Sequence, residues 1–218
     1  MNGQDSGHDT VRVELGARGY DIVIGSGLLT RAGGEIAARL PGLRAAIVTD
    51  DNVAALHAEA LKASLAEAGI DAVTIAVPPG EKSKSFAALE QVVDGVLAAR
   101  LERGDAVIAL GGGVVGDLAG FVSGIVRRGM RLVQMPTSLL AQVDSSVGGK
   151  TGINTRRGKN LVGVFQQPAL VLADTGVLDT LPEREFRAGY AEVAKYGLID
   201  RPDFFAWLEA HWREVFAG

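Results

Sequence analysis

The chain has 218 residues, of which 47% are hydrophobic and 22% are charged, and its formal net charge at pH 7 is −4. These values are typical of one large globular domain, or of one domain with part of a second. The acidic balance argues against a nucleic-acid-binding surface, and the absence of cysteine excludes disulfides and thiolate metal sites.

The first nine residues are polar and contain no apolar stretch of the kind that a signal peptide needs. They predict a disordered tail, residues 1–9, on a cytoplasmic protein. Two segments then alternate apolar and polar residues, 11–15 and 20–24, with Gly16 and Gly19 between them. This pattern predicts a β-hairpin.

From residue 28 to residue 173, apolar strand-like runs alternate with amphipathic helical segments. Strands are predicted at 45–49, 72–77, 106–110, 132–135 and 169–173, and helices at 28–40, 53–65 and 86–97. This order predicts an α/β fold, with a mostly parallel sheet and helices on both faces. Ligands bind such sheets at the carboxyl ends of the strands.

The centre of this pattern is the segment 105–124, which consists of a short apolar run, three glycines and an apolar helix carrying one charge, Asp117. A strand, a glycine turn and a helix together present backbone N–H groups to a phosphate. The glycine spacing also matches a dinucleotide fingerprint, although the same turn could simply pack a helix on a sheet. A membrane span over 106–126 is rejected, because six glycines and a central aspartate disfavour it.

A second cluster follows, in which Thr137 and Ser138 could donate to a phosphate at a helix N-terminus. Residues 127–160 contain seven basic side chains and one acid, Asp144, which gives this window a charge of +6. Such a patch on an acidic chain indicates a site for a small anion, or else a solvated face. A buried Asp144 near Lys150 could hold a substrate hydroxyl, or the two could form a structural pair.

The pattern changes after Asp174, where two helical segments, 183–199 and 202–216, follow without a further strand. Thr180 and Glu183 have the spacing of a capping box, with Pro182 in the first turn. We therefore expect a domain boundary near 175–182.

Together these stretches resemble the 3-dehydroquinate synthases, which are sugar-phosphate cyclases. The matching motifs are PGEKSK (79–84), GGGVVGDLAGF (111–121), RRG (127–129), MPTSLLAQVDSSVGGKTGIN (135–154), GKNLVGVFQQP (158–168) and AGYAEVAKYGLI (188–199). The resemblance runs from about residue 11 to the end of the chain.

The resemblance implies a Rossmann-like NAD-binding domain over 10–178, and the beginning of a helical metal and substrate domain over 179–218. It implies an NAD-dependent lyase of the shikimate pathway that converts 3-deoxy-D-arabino-heptulosonate 7-phosphate to 3-dehydroquinate and phosphate, with Zn²⁺ or Co²⁺. It also implies a homodimer, with no nucleic-acid or membrane partner. The alternatives are a sister cyclase with a valiolone-type product, a metal-dependent polyol dehydrogenase, and a non-catalytic nucleotide-binding fragment.

The resemblance also implies roles for individual residues. The substrate residues would be Arg128, Asp144, Lys150, Asn160 and Lys195. The cofactor residues would be Asp50, Asn52, Pro79, Gly80, Glu81, Lys82, Ser83, Lys84, Gly113, Val114, Val115, Gly116, Asp117, Thr137, Ser138, Lys150, Lys159, Val177, Leu178, Asp179 and Thr180.

Glu192 would be a metal ligand three residues before Lys195 on one helix face, although this spacing is equally that of an ordinary surface ion pair. The family's two other metal ligands are histidines of the helical domain that lie beyond residue 218. His8, His57 and His211 do not stand in that context. Because a Zn²⁺ site normally needs three protein ligands, we expect the 218-residue chain to be catalytically inactive by itself.

Overall fold

The computed structural model describes residues 8–217, which form a seven-stranded sheet covered by helices and a separate two-stranded hairpin. The strands are β1 His8–Val13, β2 Tyr20–Gly25, β3 Ala45–Asp50, β4 Ala72–Val77, β5 Ala106–Gly111, β6 Arg131–Pro136, β7 Lys150–Thr155, β8 Gly158–Phe165 and β9 Leu170–Asp174. The order in the large sheet is β1-β2-β9-β6-β5-β3-β4. All neighbours in it are parallel except β1 and β2, which form the predicted antiparallel hairpin.

The helices connect these strands and then continue beyond the sheet. They are α1 Ala32–Arg39, α2 Asp51–Val53, α3 Glu59–Glu67, α4 Phe86–Ala98, α5 Gly113–Ile125, α6 Glu183–Asp200 and α7 Pro202–Ala217. A π-helical turn, Ala54–Ala58, joins α2 to α3, and a second one spans Ala141–Ser145. The predicted α/β class with flanking helices is confirmed, whereas the domain limits at 178 and 179 stay a prediction.

Two hydrophobic cores lie on opposite faces of the sheet because side chains alternate along each strand. On β5, Ile108 and Leu110 point into the core that contains Ile36 of α1 and Leu61 of α3. The intervening Val107 and Ala109 belong to the core beneath α4 and α5. Both faces of the sheet are therefore covered by buried apolar side chains, as is typical of parallel sheets.

The β7–β8 hairpin was not predicted from the sequence. It packs on α5, where an added Cβ at Gly120 would lie 2.3 Å from Thr151 Cγ2 and one at Gly124 would lie 2.5 Å from Val164 Cγ2. These two glycines form the helix surface on which the hairpin rests. The hairpin in turn carries Lys150, Lys159 and Asn160.

The predicted tail is wrong at its last two residues. His8 and Asp9 begin β1, because their backbones pair with Gly25 and Ile24 of β2. Residues 1–7 of the predicted tail lie outside the described residues.

The predicted capping box is also wrong. Pro182 is the N-cap of α6 and makes no side-chain capping bond. Thr180 Oγ1 instead donates to Val177 O at 2.8 Å and lies 3.0 Å from His57 Nε2. Its hydroxyl therefore binds the preceding turn rather than α6.

The segment 106–126 is divided between β5 and α5, which has 13 residues. In the part of the chain that the structure describes, no helix combines the length and the apolar character needed to cross a bilayer.

Candidate functional site

The carboxyl ends of the parallel strands meet at one edge of the sheet. Asp50 is in register with Val77, and Gly111 is in register with Pro136. β4 lies on one side of β3 and β5 lies on the other, so the connections change direction between β3 and β5. Such a switch point is where open α/β sheets form a ligand crevice.

Asp50 stands at the first side of this crevice. Its Oδ1 accepts hydrogen bonds from Asn52 N and Val53 N, both at 3.0 Å, and so caps the helical segment that begins with α2. Asn52 lies in the first turn of that segment. The second carboxylate oxygen of Asp50 accepts no hydrogen bond within residues 8–217 and could accept one from a ligand hydroxyl.

The glycine turn after β5 forms the second side. Gly112 is the N-cap of α5 and has no side chain to occupy the free N–H groups of the first turn. An added Cβ at Gly113 would lie 3.0 Å from Ser145 Oγ, and one at Gly112 would lie 3.4 Å from Ser138 Oγ. The turn therefore brings bare backbone close to the serines that follow β6.

Thr137 and Ser138 follow β6 as predicted, at the same edge. Thr137 N donates to Gly111 O at 3.0 Å, which ties the two loops together. Ser138 Oγ accepts from Ala141 N at 3.3 Å and begins the next helical turn. The Ser138 hydroxyl thus lies beside the open N-terminus of α5, and Thr137 is held at the same turn through its backbone.

Lys84 joins three separate parts of the site. Its side chain is only 5% exposed, and Nζ donates to Asp117 Oδ2 at 2.5 Å and to Asn160 Oδ1. These contacts connect the loop after β4, helix α5 and strand β8. Because an ammonium group has three donors, one N–H of Lys84 is left for a ligand.

Asn154 of β7 strengthens this connection, although its role was not predicted. Its backbone N donates to Lys84 O at 2.9 Å, and its Nδ2 donates to Glu81 Oε1 at 2.8 Å. Its Oδ1 accepts from Asn160 N at 3.0 Å. Lys159 Nζ lies 3.5 Å from the same Glu81 oxygen and is well exposed.

The two carboxylates around Lys84 have opposite pKa shifts. Burial raises the pKa of Asp117, and the attraction of Lys84 only partly counters it. The hydrogen bond from Asn154 lowers the pKa of Glu81. Glu81 is therefore held in its ionised form, while at Asp117 burial opposes ionisation and Lys84 favours it.

A cavity of about 330 Å³ opens beside this network. Its lining includes Asp117, Lys150 and Asn160, together with the apolar Leu161 and Phe165 of β8. Asn160 has a left-handed backbone conformation, with φ of 56°. A non-glycine residue in this region is often held there by a functional site. Three of the predicted residues thus share one anion-sized cavity.

Asp144 lies in the π-helical turn after β6 and faces helix α6. It is exposed rather than buried, and it makes no ion pair with Lys150 in the described range, so neither of the arrangements expected from the sequence is present. Its charge instead acts on Lys195 and Tyr196. Tyr196 OH donates to Val143 O at 3.2 Å, which fastens α6 to this turn. Tyr196 was not predicted.

Glu192 and Lys195 form the i,i+3 ion pair that the sequence left as the ordinary interpretation. The Glu192 side chain is 18% exposed, and its hydrogen bond raises the pKa of Lys195. In residues 8–217 no group of three or more His, Cys, Asp or Glu side chains could hold a metal ion. His57 is engaged with Thr180, and His211 Nδ1 is bonded to Trp207 O.

The remaining predicted cofactor residues lie in the same loops at the carboxyl edge. They are Pro79, Gly80, Lys82 and Ser83 after β4, Val114, Val115 and Gly116 in α5, and Val177, Leu178, Asp179 and Thr180 in the turn after β9. Among them, Ser83 Oγ donates to Pro78 O, so its hydroxyl stabilises the loop.

Arg128 is the predicted residue that lies away from the others. It follows the C-terminal end of α5, whereas Asp117 is near the start, and eight helical residues between 117 and 125 correspond to about 12 Å. Its neighbours Gly129 and Met130 line a different cavity, at the opposite edge of the sheet. Within one chain, Arg128 therefore lies about the length of α5 away from Asp117, which shares the Lys84 network with Asn160. Whether it acts with Lys150 stays a prediction.

The chain is similar to known sequences over nearly its whole length. A family model described as "3-dehydroquinate synthase N-terminal" matches residues 74–188. The chain is 77% identical over 209 residues to the 3-dehydroquinate synthase of Brucella ovis and 76% identical over 209 residues to that of Mesorhizobium japonicum. In both cases the match covers 96% of this chain and 55% of the relative, so the chain spans about half the length of these relatives.

Solved structures share the fold. A 2-epi-5-epi-valiolone synthase from Streptomyces hygroscopicus, with NAD⁺ and Zn²⁺ bound, superposes with a TM-score of 0.83 at 34% identity, over 91% of this chain and 54% of that one. A 2-deoxy-scyllo-inosose synthase in complex with carbaglucose-6-phosphate, NAD⁺ and Co²⁺ gives 0.76 at 27% identity, over 86% and 50%. The family match extends from β4 to the beginning of α6 and includes most of the loops at the carboxyl edge. The chain therefore belongs to the 3-dehydroquinate synthase family.

Proposed function

We propose that this chain is the cofactor-binding half of an NAD-dependent 3-dehydroquinate synthase. The reaction converts 3-deoxy-D-arabino-heptulosonate 7-phosphate to 3-dehydroquinate and phosphate. The observation that carries the proposal is the Lys84 network, which holds the loop after β4, α5 and the hairpin around the cavity that contains Lys150. The family match and the NAD⁺ named in both solved relatives support it.

The crevice at the switch point fits a dinucleotide. Bare backbone at Gly112 and Gly113 would let the pyrophosphate approach the N-terminus of α5, and Thr137 and Ser138 would donate to it. The free oxygen of Asp50 would accept from a ribose hydroxyl. When bound, NAD would accept hydride from one substrate alcohol and later return it, so that it is regenerated in each turnover.

The hairpin would hold the substrate's anionic groups. Lys150 and Asn160 line the cavity, and Lys159, the residue before Asn160 in β8, lies 3.5 Å from Glu81. A lysine ammonium neutralises phosphate as a point charge, and the Asn160 amide adds a directional hydrogen bond. Asp144, exposed between α5 and α6, would accept a hydrogen bond from a substrate hydroxyl and fix its orientation.

Residues 8–217 do not by themselves fit a metal site. Glu192 would supply one ligand, but it is bonded to Lys195, and the described histidines have other partners. Because Zn²⁺ normally requires three protein ligands, we propose that Zn²⁺ or Co²⁺ binds only when further ligands are supplied from outside these residues. The homodimer, the cytoplasmic location and the inactivity of the isolated chain remain part of this proposal.

Titration calorimetry with NAD tests the cofactor site in this chain. We expect NAD to bind, and Gly113→Val to abolish binding, because its side chain would fill the space in front of Ser145. Gly104→Ala is the matched control, since an added Cβ there meets no atom within 4 Å. Equal NAD affinity in the Gly113→Val variant would refute the proposed cofactor crevice.

Product analysis tests the reaction. A full-length chain would join this sequence to the C-terminal half of the Brucella ovis relative and would be loaded with Zn²⁺. We expect 3-dehydroquinate and phosphate as products, with Lys150→Ala abolishing turnover at an unchanged melting temperature. A valiolone-type product, or accumulation of NADH, would assign the chain to a sister cyclase or a polyol dehydrogenase instead.

A further inference from the structure

A second cavity, of about 640 Å³, lies at the amino-terminal edge of the sheet, opposite the cofactor crevice, and shares Phe165 of β8 with the 330 Å³ cavity. Its walls come from the loops that precede β2, β9, β6 and β5, which are consecutive in the sheet order. The C-terminal end of α1 closes one side through Arg39 and Leu40. None of the residues that line it was predicted from the sequence to belong to a site.

The lining of this cavity is strongly cationic. It contains five arginines, Arg12, Arg18, Arg39, Arg103 and Arg131, and one acid, Asp21, which gives the lining a net charge of +4. The whole chain has a net charge of −4. Glu14 and Glu35, just outside the lining, pair with Arg12 and Arg39, so the cationic excess of this concave surface comes from the remaining three arginines.

Two of the arginines are already paired. Asp21 Oδ1 accepts from Arg12 at 2.9 Å, and Asp21 Oδ2 accepts from Arg39 at 3.2 Å. Arg39 also pairs with Glu35 at 2.5 Å. These contacts hold the guanidinium groups of Arg12 and Arg39 in place. Both carboxylate oxygens of Asp21 are used in them, so Asp21 is not paired with the other three arginines of the cavity.

The other three arginines, Arg18, Arg103 and Arg131, have no side-chain hydrogen bond or ion pair with any residue between 8 and 217. Each guanidinium group carries five N–H donors in a fixed plane that matches the oxygens of phosphate or carboxylate. They reach the cavity from three different loops. A bound oxyanion would therefore find donors on several sides.

The backbone at the wall of the cavity is also unusual. Arg127 and Arg128 have φ of 54° and 62°, and Gly129, which lines the cavity, has φ of 109°. Two consecutive non-glycine residues in the left-handed region cost free energy and persist only where the surroundings enforce them. Arg127 Nε donates to Leu101 O at 2.9 Å and holds this turn close to the loop of Arg103.

We propose that this arginine-lined cavity is a binding site for a compound that carries at least two phosphate or carboxylate groups, separate from the cofactor crevice. Arg18, Arg103 and Arg131 bind the anionic groups, and the Arg12–Asp21–Arg39 cluster forms the fixed floor. Because the site lies at the opposite edge of the sheet, it can be occupied together with NAD.

Titration calorimetry with inorganic pyrophosphate and, separately, with citrate tests the proposal on the chain itself at constant ionic strength. We expect at least one of them to bind, and the stronger of the two identifies the phosphate or the carboxylate class. Arg18→Ala and Arg131→Ala should each weaken binding about tenfold, and Arg131→Lys should recover only part of the loss because lysine lacks the planar donor pair. Arg157→Ala, in the β7–β8 turn, is the matched control and should not change the affinity.

Far-ultraviolet circular dichroism and melting temperature verify that the variants are folded, as expected for exposed side chains without partners. Binding of neither anion above an ionic-strength control would overturn the proposal. So would displacement of the anion by saturating NAD, since this would place it in the crevice at the carboxyl edge. An unchanged affinity in the Arg18→Ala/Arg131→Ala double variant would have the same meaning.

Discussion

The buried ion pair between Lys84 and Asp117 provides the sharpest test of the site's construction. The Lys84 side chain is 5% exposed, the Asp117 side chain is 20% exposed, and their charged atoms are 2.5 Å apart. At an effective dielectric constant near 20, two unit charges at this separation attract each other by about 7 kcal/mol. The desolvation of both ions offsets several kcal/mol of that attraction.

Replacing Lys84 with methionine keeps most of the side-chain volume but leaves Asp117 without its counter-charge. Removing one member of a buried pair typically costs about 3–5 kcal/mol, and we expect a loss of this size in the free energy of unfolding at pH 7.5. The lost bond to Asn160 should also loosen the hairpin. Urea titrations followed by circular dichroism measure the change.

The loss should depend on pH in a defined direction. The pKa of Asp117 is already raised in the folded state by burial, so that its ionisation favours unfolding, and Lys84→Met increases this effect. The destabilisation should therefore be largest at pH 7.5 and should shrink as the pH falls toward about 4, where Asp117 is increasingly protonated in the unfolded chain as well.

Two further variants separate the loss of a buried ion pair from the loss of an ordinary surface pair. Lys62→Met removes an i,i+3 pair with Glu59 whose side chains are 42% and 87% exposed, and it should cost less than about 1 kcal/mol. Asp117→Asn in the Lys84→Met background should recover part of the loss, because it removes the unpaired buried charge. A loss for Lys84→Met no larger than that for Lys62→Met, or no recovery by Asp117→Asn, would show that the Lys84–Asp117 pair does not act as a desolvated ion pair.

Three further predictions concern the fold around the site. Gly163→Ala would place a Cβ 1.9 Å from Thr151 O, a backbone atom that no rotamer change can move. We expect urea titrations to show a loss of about 1–3 kcal/mol in the free energy of unfolding. Gly104→Ala, whose added Cβ meets no atom within 4 Å, should show no such loss. Asp21→Asn should destabilise the chain at pH 7 in thermal melts. The difference should shrink as the pH falls below about 4, because the hydrogen bonds and charges of Arg12 and Arg39 lower the pKa of Asp21 and its contribution is lost as it is protonated. Burial lowers the pKa of His57, so an NMR titration of its ring protons should show a midpoint below the ordinary value of about 6.5; a midpoint at or above it would show that the ring is not desolvated.

The sequence by itself determined the architecture and the edge of the sheet that carries the site. Apolar runs and helical periodicity are local signals, and they placed the strand ending at Asp50 and the glycine turn before α5 within a few residues of their observed positions. Since parallel strands align their carboxyl ends, the shared placement of these loops followed from the strand order alone.

The tertiary structure decided which of those residues act together. Lys84 contacts partners 33 and 76 positions away, Asn154 connects two loops, and the hairpin that carries Lys150 lies on glycines of α5. No periodicity encodes such contacts. The same holds for Arg128, which is close to the site motifs in sequence but separated from Asp117 by most of the length of α5. It also holds for the arginine cavity, whose five arginines come from five separate loops and elements. Side-chain pairing across long sequence separations depends on packing in three dimensions, whereas the strands and turns depend on their immediate neighbours.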